Sequence, residues 1–170
     1  ILELRNEHPV RPVNNTKVYG GPRNRPIFGS VEDGVEKFCR NIMAGCASSR
    51  FHRPPSGNGL NTLTMNVIKS FRLVETEMQF WQMKPRMDLL RDRETDEAYV
   101  SATGDGDFLI YFPEEGRVRI NLSDYDHTFE LNWVHINKGE LYSSSLIKGH
   151  DWEEIITPKE GSWFAIILSK

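Results

Sequence analysis

The sequence predicts an α+β protein: two terminal βα units of a (β/α)8 barrel, followed by an antiparallel β-sandwich. Three observations carry this. Between Gly59 and Met83, apolar residues fall at Leu60, Leu63, Val67, Phe71, Val74, Met78 and Trp81. Steps of three or four mark one face of an α-helix. The elements before it run strand, helix, strand, helix, an order that implies parallel strands. After Arg93 the period changes to short β-rich runs at roughly ten-residue spacing, the pattern of a sandwich.

The segment Ile1 to His8 is short, mixed and carries no assignment. Val10 to Tyr19 places β-branched residues at Val10, Val13, Thr16 and Val18 and reads as a strand ending at Gly20-Gly21. Gly20 to Gly29, with Pro22, Pro26, Arg23 and Arg25, reads as a loop. Ser30 is the expected N-cap of a helix whose acidic first turn holds Glu32 and Asp33. Val31, Val35, Phe38 and Ile42 form its buried stripe, which fades at Gly45. Cys46 to His52 is a short strand that Pro54-Pro55 ends. Asn58 or Asn61 caps the long helix, and Pro85 is expected to stop it.

Parallel strands need cover on both faces and partners on both edges. Two strands cannot supply that, so the N-terminal half reads as the end of a larger α/β domain. The last two units of a barrel are the most economical form. The sandwich runs are Ala98–Thr103, Phe108–Pro113, Arg117–Leu122, Phe129–Ile136, Glu140–Leu146, Glu153–Thr157 and Ser162–Leu168, with Gly-containing turns at five of the six links. Phe108, Ile110 and Phe112 alternate on one side. In the last run Trp163, Ala165 and Ile167 alternate against Phe164, Ile166 and Leu168, so that strand is expected to be buried on both faces. The division falls at 1–92 and 93–170. Charge supports it: residues 1–95 hold 15 Lys/Arg against 10 Asp/Glu, and residues 96–170 hold 6 against 14.

Composition excludes several classes. A net charge of −3 over 170 residues describes an ordinary soluble domain. No run of about 18 apolar residues offers a membrane span. No secretory signal is visible; the chain begins at Ile1 and reads as a mature, cleaved or excised piece. Arg11, Lys17, Arg23 and Arg25 can attract phosphate, but no aromatic interleaving points to nucleic acid. No cofactor and no metal site is read. Gly104-Asp105-Gly106-Asp107 lacks the distal glutamate of a calcium loop and reads as a hairpin turn. His127 and His135 have no metal-ligand spacing with cysteine. Cys39 and Cys46 are expected to be buried free thiols; were both on one helix, seven residues would part them by about 10 Å, beyond disulfide reach.

The stretches VNNTKVYGG, FCRNIMAGCASSRFHRPPSG, DFLIYFPEEGRVRINL and GSWFAIIL, in that order, resemble the C-terminal part of a bacterial family. That family joins a glycoside-hydrolase-like (β/α)8 barrel to a small β-sandwich, the latter named as a collagen-binding domain of a collagenase. In the sandwich the resemblance rests on Tyr111 to Pro113, Gly116, Trp133 and Trp163. It implies that Val10–Tyr19 and Cys46–His52 are the seventh and eighth barrel strands. It also implies a polysaccharide or oligosaccharide partner, a remainder of the barrel supplied by upstream sequence, and a secreted or periplasmic bacterial location. One departure stands out. Such barrels often carry a glutamate near the end of the seventh strand, where a glycosidase needs one of its two carboxylates. Here that segment is Asn15-Thr16-Lys17-Val18-Tyr19. No catalytic residue is therefore assigned, and the acid pair is sought on earlier strands.

Barrel active sites lie at the C-terminal ends of the strands. The candidate substrate-binding residues are thus Asn15, Lys17, Tyr19, Arg50, His52 and Arg53. Structural acids such as Asp33 or Glu36 could instead pair with Arg50 and His52. Trp133, Tyr142, Trp152 and Trp163 could offer sugar-stacking faces, although aromatics in a sandwich are more often core. Three readings follow: part of a glycoside hydrolase, with this chain as one wall of the cleft; a non-catalytic binding module for carbohydrate or collagen; or a sandwich that only props the barrel. An exposed aromatic row favours the module, and a polar cleft at Lys17 and Arg50 favours the enzyme.

Overall fold

A computed structural model describes residues 1–21 and 27–170. Arg23 and Arg25 lie outside the described residues, as does the middle of the loop expected between Gly20 and Gly29. The chain opens with a short helix, α1 (Leu2–Glu7), which anchors to the next unit through Arg5, whose guanidinium donates to the Ala44 carbonyl at 2.9 Å. Strand β1 (Asn14–Val18) pairs in parallel with β2 (Ser48–Phe51). Helix α2 (Val31–Met43) connects them, and α3 (Thr62–Glu77) follows β2. The two expected βα units are present.

The caps form as the side chains require. Ser30 and Asp33 make a reciprocal capping box on α2, satisfying two donors that a helix start leaves unpaired. Asn61 caps α3 by accepting from the Thr64 N–H at 2.9 Å. Asn58 instead donates to the Val31 carbonyl at 2.9 Å, tying the loop after β2 to the start of α2.

The long helix is shorter than its apolar spacing predicts. It ends at Glu77, well before Pro85, because Met78 turns into extended backbone (φ −151°, ψ 155°). A 3-10 turn at Phe80–Gln82 then brings the Phe80 ring to 5.8 Å from Phe71. Packing against Phe71 replaces two further helical turns. Trp81 is consequently exposed, and Leu60, which precedes the cap, is exposed as well. Val67, Phe71, Val74 and Met78 are buried as expected.

All seven expected sandwich runs are strands: β5 (Tyr99–Ala102), β6 (Phe108–Phe112), β7 (Arg117–Asn121), β8 (Thr128–His135), β9 (Glu140–Lys148), β10 (Trp152–Ile156) and β11 (Trp163–Ser169). Two short strands precede them, β3 (Lys84–Pro85) and β4 (Leu90–Arg91). They form a six-stranded sheet in the order β3-β5-β6-β11-β8-β9 and a three-stranded sheet in the order β10-β7-β4. Both sheets thus draw a strand from before residue 93.

The central strands of the large sheet have two dry faces. Phe108, Ile110, Phe112, Trp133, Trp163 and Ile167 pack against Val118, Ile120 and Ile155 of the small sheet. Leu109, Tyr111, Val134, Ile136, Phe164 and Ile166 pack against Phe38, Val67, Phe71 and Val74 of the helices. This explains why all five residues of β6 are buried. Trp163 is fully enclosed, and its indole N–H donates to the Lys159 carbonyl at 2.9 Å.

Two outcomes are expected. A fragment of residues 1–90 lacks the sheet face that covers Phe71 and Val74, so it will not melt cooperatively as a monomer in calorimetry. Trp163→Ala or Phe112→Ala will cost about 3–5 kcal/mol in urea unfolding of the whole chain, as for buried aromatics generally; a loss under about 1 kcal/mol would mean that the site collapses freely.

Candidate functional site

The neighbouring C-terminal ends of β1 and β2 bring most of the sequence candidates together. In register, Asn15 faces Ser49 and Val18 faces Phe51. Between these pairs Thr16 and Lys17 oppose Arg50 alone, so β1 carries a bulge there. A bulge re-aims side chains and strengthens the local twist. The outer face of the pair is fixed by α2. The Phe51 ring stacks on Phe38 at 4.3 Å, and the Ser49 hydroxyl accepts from the Asn41 amide at 3.3 Å. Alternation then puts Arg50 and His52 on the opposite face.

Lys17, Arg50, His52 and Arg53 line one open groove of about 860 Å³ together with Phe38, Ser49, Phe51 and Ile68 of the helix side, so the groove runs along the edge of β2 rather than over one face. Tyr19 stands beside it, its ring 5.1 Å from that of His52 and 5.4 Å from that of Phe28. Asn15 is placed differently. It shares the register of Ser49, on the α2 side, and its side-chain oxygen accepts from the Lys17 N–H at 3.2 Å. It shapes the bulge that presents Lys17. Asn15, Lys17 and Tyr19 also border a second groove of about 710 Å³, which runs between α1, α2 and the sandwich and includes Lys37 and Arg40.

The electrostatics of the first groove are one-sided. Three cations line it and no carboxylate does. Among the described residues, Lys17, Arg50 and Arg53 have no carboxylate within 4.0 Å. The acids that might have neutralised them are engaged elsewhere: Asp33 caps α2, and Glu36 pairs with Arg40 at 2.9 Å. Among the described residues no group of three or more His, Cys, Asp or Glu side chains could hold a metal ion.

The loops behind the strand ends are set by close backbone contact. Gly20 has φ +133°, and a Cβ there would stand 2.5 Å from the Ser30 carbonyl oxygen and the Gly34 nitrogen. The loop after β2 turns back on itself, with the Gly59 N–H donating to the His52 carbonyl at 2.8 Å. A Cβ on Gly57 would stand 2.1 Å from that same oxygen.

The sandwich does not present the four aromatics as a row. Trp133 and Trp163 are core. Trp152 lies under the Arg91 guanidinium at 4.1 Å. Tyr142 is half-exposed, with the Lys159 ammonium 4.6 Å from its ring centre. The thiols of Cys39 and Cys46 are both free and buried, and burial pushes both thiol pKa values up.

No protein-family model matches the sequence, and no curated protein is similar to it at a significant level. Solved structures do match by shape. One is a glycoside hydrolase family 5 structure from Bacteroides vulgatus ATCC 8482, with a TM-score of 0.66 at 14% identity over 96% of this chain. Another, described as a glycoside hydrolase, has a TM-score of 0.67 at 12% identity over 95% of this chain. This chain spans 43% of each of those chains. The likeness is one of fold: the chain has the layout of a partial (β/α)8 barrel joined to a β-sandwich.

Gly20→Ala is expected to cost about 1–3 kcal/mol, because both the positive φ and the contact with Gly34 must give way. The check is urea unfolding of the variant. A stability within about 0.5 kcal/mol of the parent would show that the β1–α2 loop is free to move off the helix start.

Proposed function

We propose that this chain is the C-terminal portion of a glycoside hydrolase acting on polysaccharide, and that it supplies one wall of the cleft. The observation that carries the reading is the groove at the ends of β1 and β2, with Lys17, Arg50 and Arg53 exposed and unneutralised. Free cations at parallel strand ends stand where barrel enzymes hold their substrates. The likeness to glycoside hydrolase structures supports the fold side of the argument.

Hydrolysis of a glycosidic bond needs two carboxyl groups across the scissile bond, about 5–5.5 Å apart for retention or about 6.5–9.5 Å for inversion. β1 and β2 offer no Asp or Glu at their C-terminal ends. On this reading the acid pair belongs to other strands, and the present residues bind and orient. Two cations with a histidine suit an acidic sugar such as a uronate. Arg50 would grip its carboxylate through two parallel hydrogen bonds, while Lys17 adds a point charge from the bulge. Tyr19 and His52 would close the side of the subsite with ring edges and polar tips. The protein would then work outside the cytoplasm, secreted or periplasmic, where polysaccharide is met.

For the sandwich, the buried Trp133 and Trp163 favour a supporting role over a binding one. The central strands of its large sheet spend one face on the helices.

The test is binding of neutral and uronic-acid oligosaccharides to the full-length parent protein, with and without Arg50→Ala. The uronic-acid ligands should lose at least about tenfold in affinity, in line with ~1.5–3 kcal/mol for hydrogen bonds to charged groups. Neutral ligands should change little. If Arg50→Ala leaves affinity and activity unchanged on every substrate, the site assignment fails.

A further inference from the structure

His135 closes one end of the sandwich core. It is the last residue of β8, on the side of that strand that carries Phe129, Leu131 and Trp133. Its ring lies 4.5 Å from that of Trp163, and only 7% of the residue is exposed. The Gly161 backbone covers it: a Cβ on Gly161 would stand 3.1 Å from the ring Cε1. Nδ1 is sealed from solvent and has no hydrogen-bond partner. A neutral imidazole can leave one nitrogen as an idle acceptor, whereas the protonated ring carries a donor on both nitrogens. A proton taken up here would bury a charge together with an unsatisfied N–H.

The charged groups around the ring do not compensate. Lys138 from the β8–β9 turn and Lys159 from the β10–β11 turn add positive charge, and Glu140 at the start of β9 opposes them. Lys159 stands over the ring of Tyr142, which in turn packs on Trp163. Glu160 lines a separate groove with Glu114 and Glu115. Burial first, and then the two lysines, push the His135 pKa below the usual histidine range. Glu140 and the residue's own backbone pull back less strongly.

The same residue sits at the joint between the sandwich and the helices. Its carbonyl accepts from the Lys138 and Gly139 N–H groups at 3.2 and 2.9 Å, which forms the β8–β9 turn. That turn is seated on α3. The Asn66 amide donates to the Asn137 carbonyl at 2.8 Å, and a Cβ on Gly139 would stand 3.0 Å from the Asn66 carbonyl oxygen. The Ile136 N–H donates to the Ser162 carbonyl at 2.9 Å, which ties the end of β8 to the β10–β11 turn. We propose that His135 is an acid-sensitive joint: when its ring takes up a proton, the β8–β9 and β10–β11 turns part from the end of the core, and the sandwich loosens its hold on α3. The device is independent of what the groove at β1 and β2 binds.

The unfolded chain binds this proton more readily than the folded one, so stability falls on acidification. The contribution of His135 is fully present above the unfolded value of about 6.5 and is lost as the pH falls through the folded value. The experiment uses the whole chain and compares about pH 7.5 with about pH 5, across the range in which histidine titrates. NMR supplies two readings: titration of the His135 ring, and amide hydrogen exchange corrected for its intrinsic pH dependence. On acidification the Lys138 and Gly139 amides should lose protection several-fold more than the amides of β6. His135→Gln should abolish this difference, while His127→Gln, at the other end of β8, should keep it. A His135 ring that titrates in the ordinary histidine range overturns the proposal without any variant. So does an acid response that His135→Gln leaves intact, or one in which Lys138 and Gly139 open no sooner than β6.

Discussion

The structure depends on a sheet whose central strands are dry on both faces. Alternate residues of β6 and β11 point to opposite sides, and in these strands both sets are large and apolar. Phe108, Ile110 and Phe112 serve the sandwich core, while Leu109 and Tyr111 serve the helices. A sheet built this way cannot be solvated on its helical side. The polar groups at that boundary are matched across it as well. The Ser70 hydroxyl on α3 donates to the Ile136 carbonyl at 3.1 Å, and the Ser101 hydroxyl on β5 donates to the Met43 carbonyl at 2.8 Å. Tyr111 reaches Cys39 of α2, and burial drives its phenol pKa well above the usual range. These bonds fix where the helices sit, which burial of apolar area alone does not do.

Fixing the helices fixes the strand ends. Phe51 and Val18 are buried on the side of β1 and β2 that the helices cover. Arg50 and His52 leave the strand on the other side, at its edge, and reach the groove that Phe38, Phe51 and Ile68 also line. The sandwich therefore acts on the groove at one remove. It holds α2 and α3, α2 holds Phe51 through Phe38, and alternation along β2 does the rest. A rigid element behind a polar face is what a binding wall requires.

Much of this was legible in the chain, for reasons that differ by element. Ser30 and Asp33 act through local hydrogen bonds, so the start of α2 follows from its own letters. The seven sandwich strands were legible because alternation and glycine turns recur. The end of α3 was not: no glycine or proline stands at Met78, and the helix stops because Phe80 finds Phe71, a tertiary gain that outweighs propensity. β3 and β4 were not legible either, since two residues carry no period. The bulge at Thr16–Lys17 was the costliest omission. One extra residue reverses every side chain beyond it, and it moved Asn15 to the α2 side while turning Lys17 toward Arg50.

The uneven charge of the two halves gains meaning at the same point. Opposite charges had ample chance to pair, because α2 alone supplies Glu32, Asp33 and Glu36 within the same unit as Arg50. Yet Asp33 is taken by the backbone of its own helix start, and Glu36 is taken by Arg40, one turn along. Arg40 is in turn shared with Asp96 of the sandwich at 3.6 Å. Asp33 and Glu36 are thus taken by a helix cap and by the network that links the two halves. Cations left over in a groove repel one another, and they repel more strongly where water is displaced. A groove lined by Lys17, Arg50 and Arg53 without a carboxylate accepts that repulsion at rest. An anionic group entering the groove relieves it, whether that group arrives on a substrate or on another segment of protein.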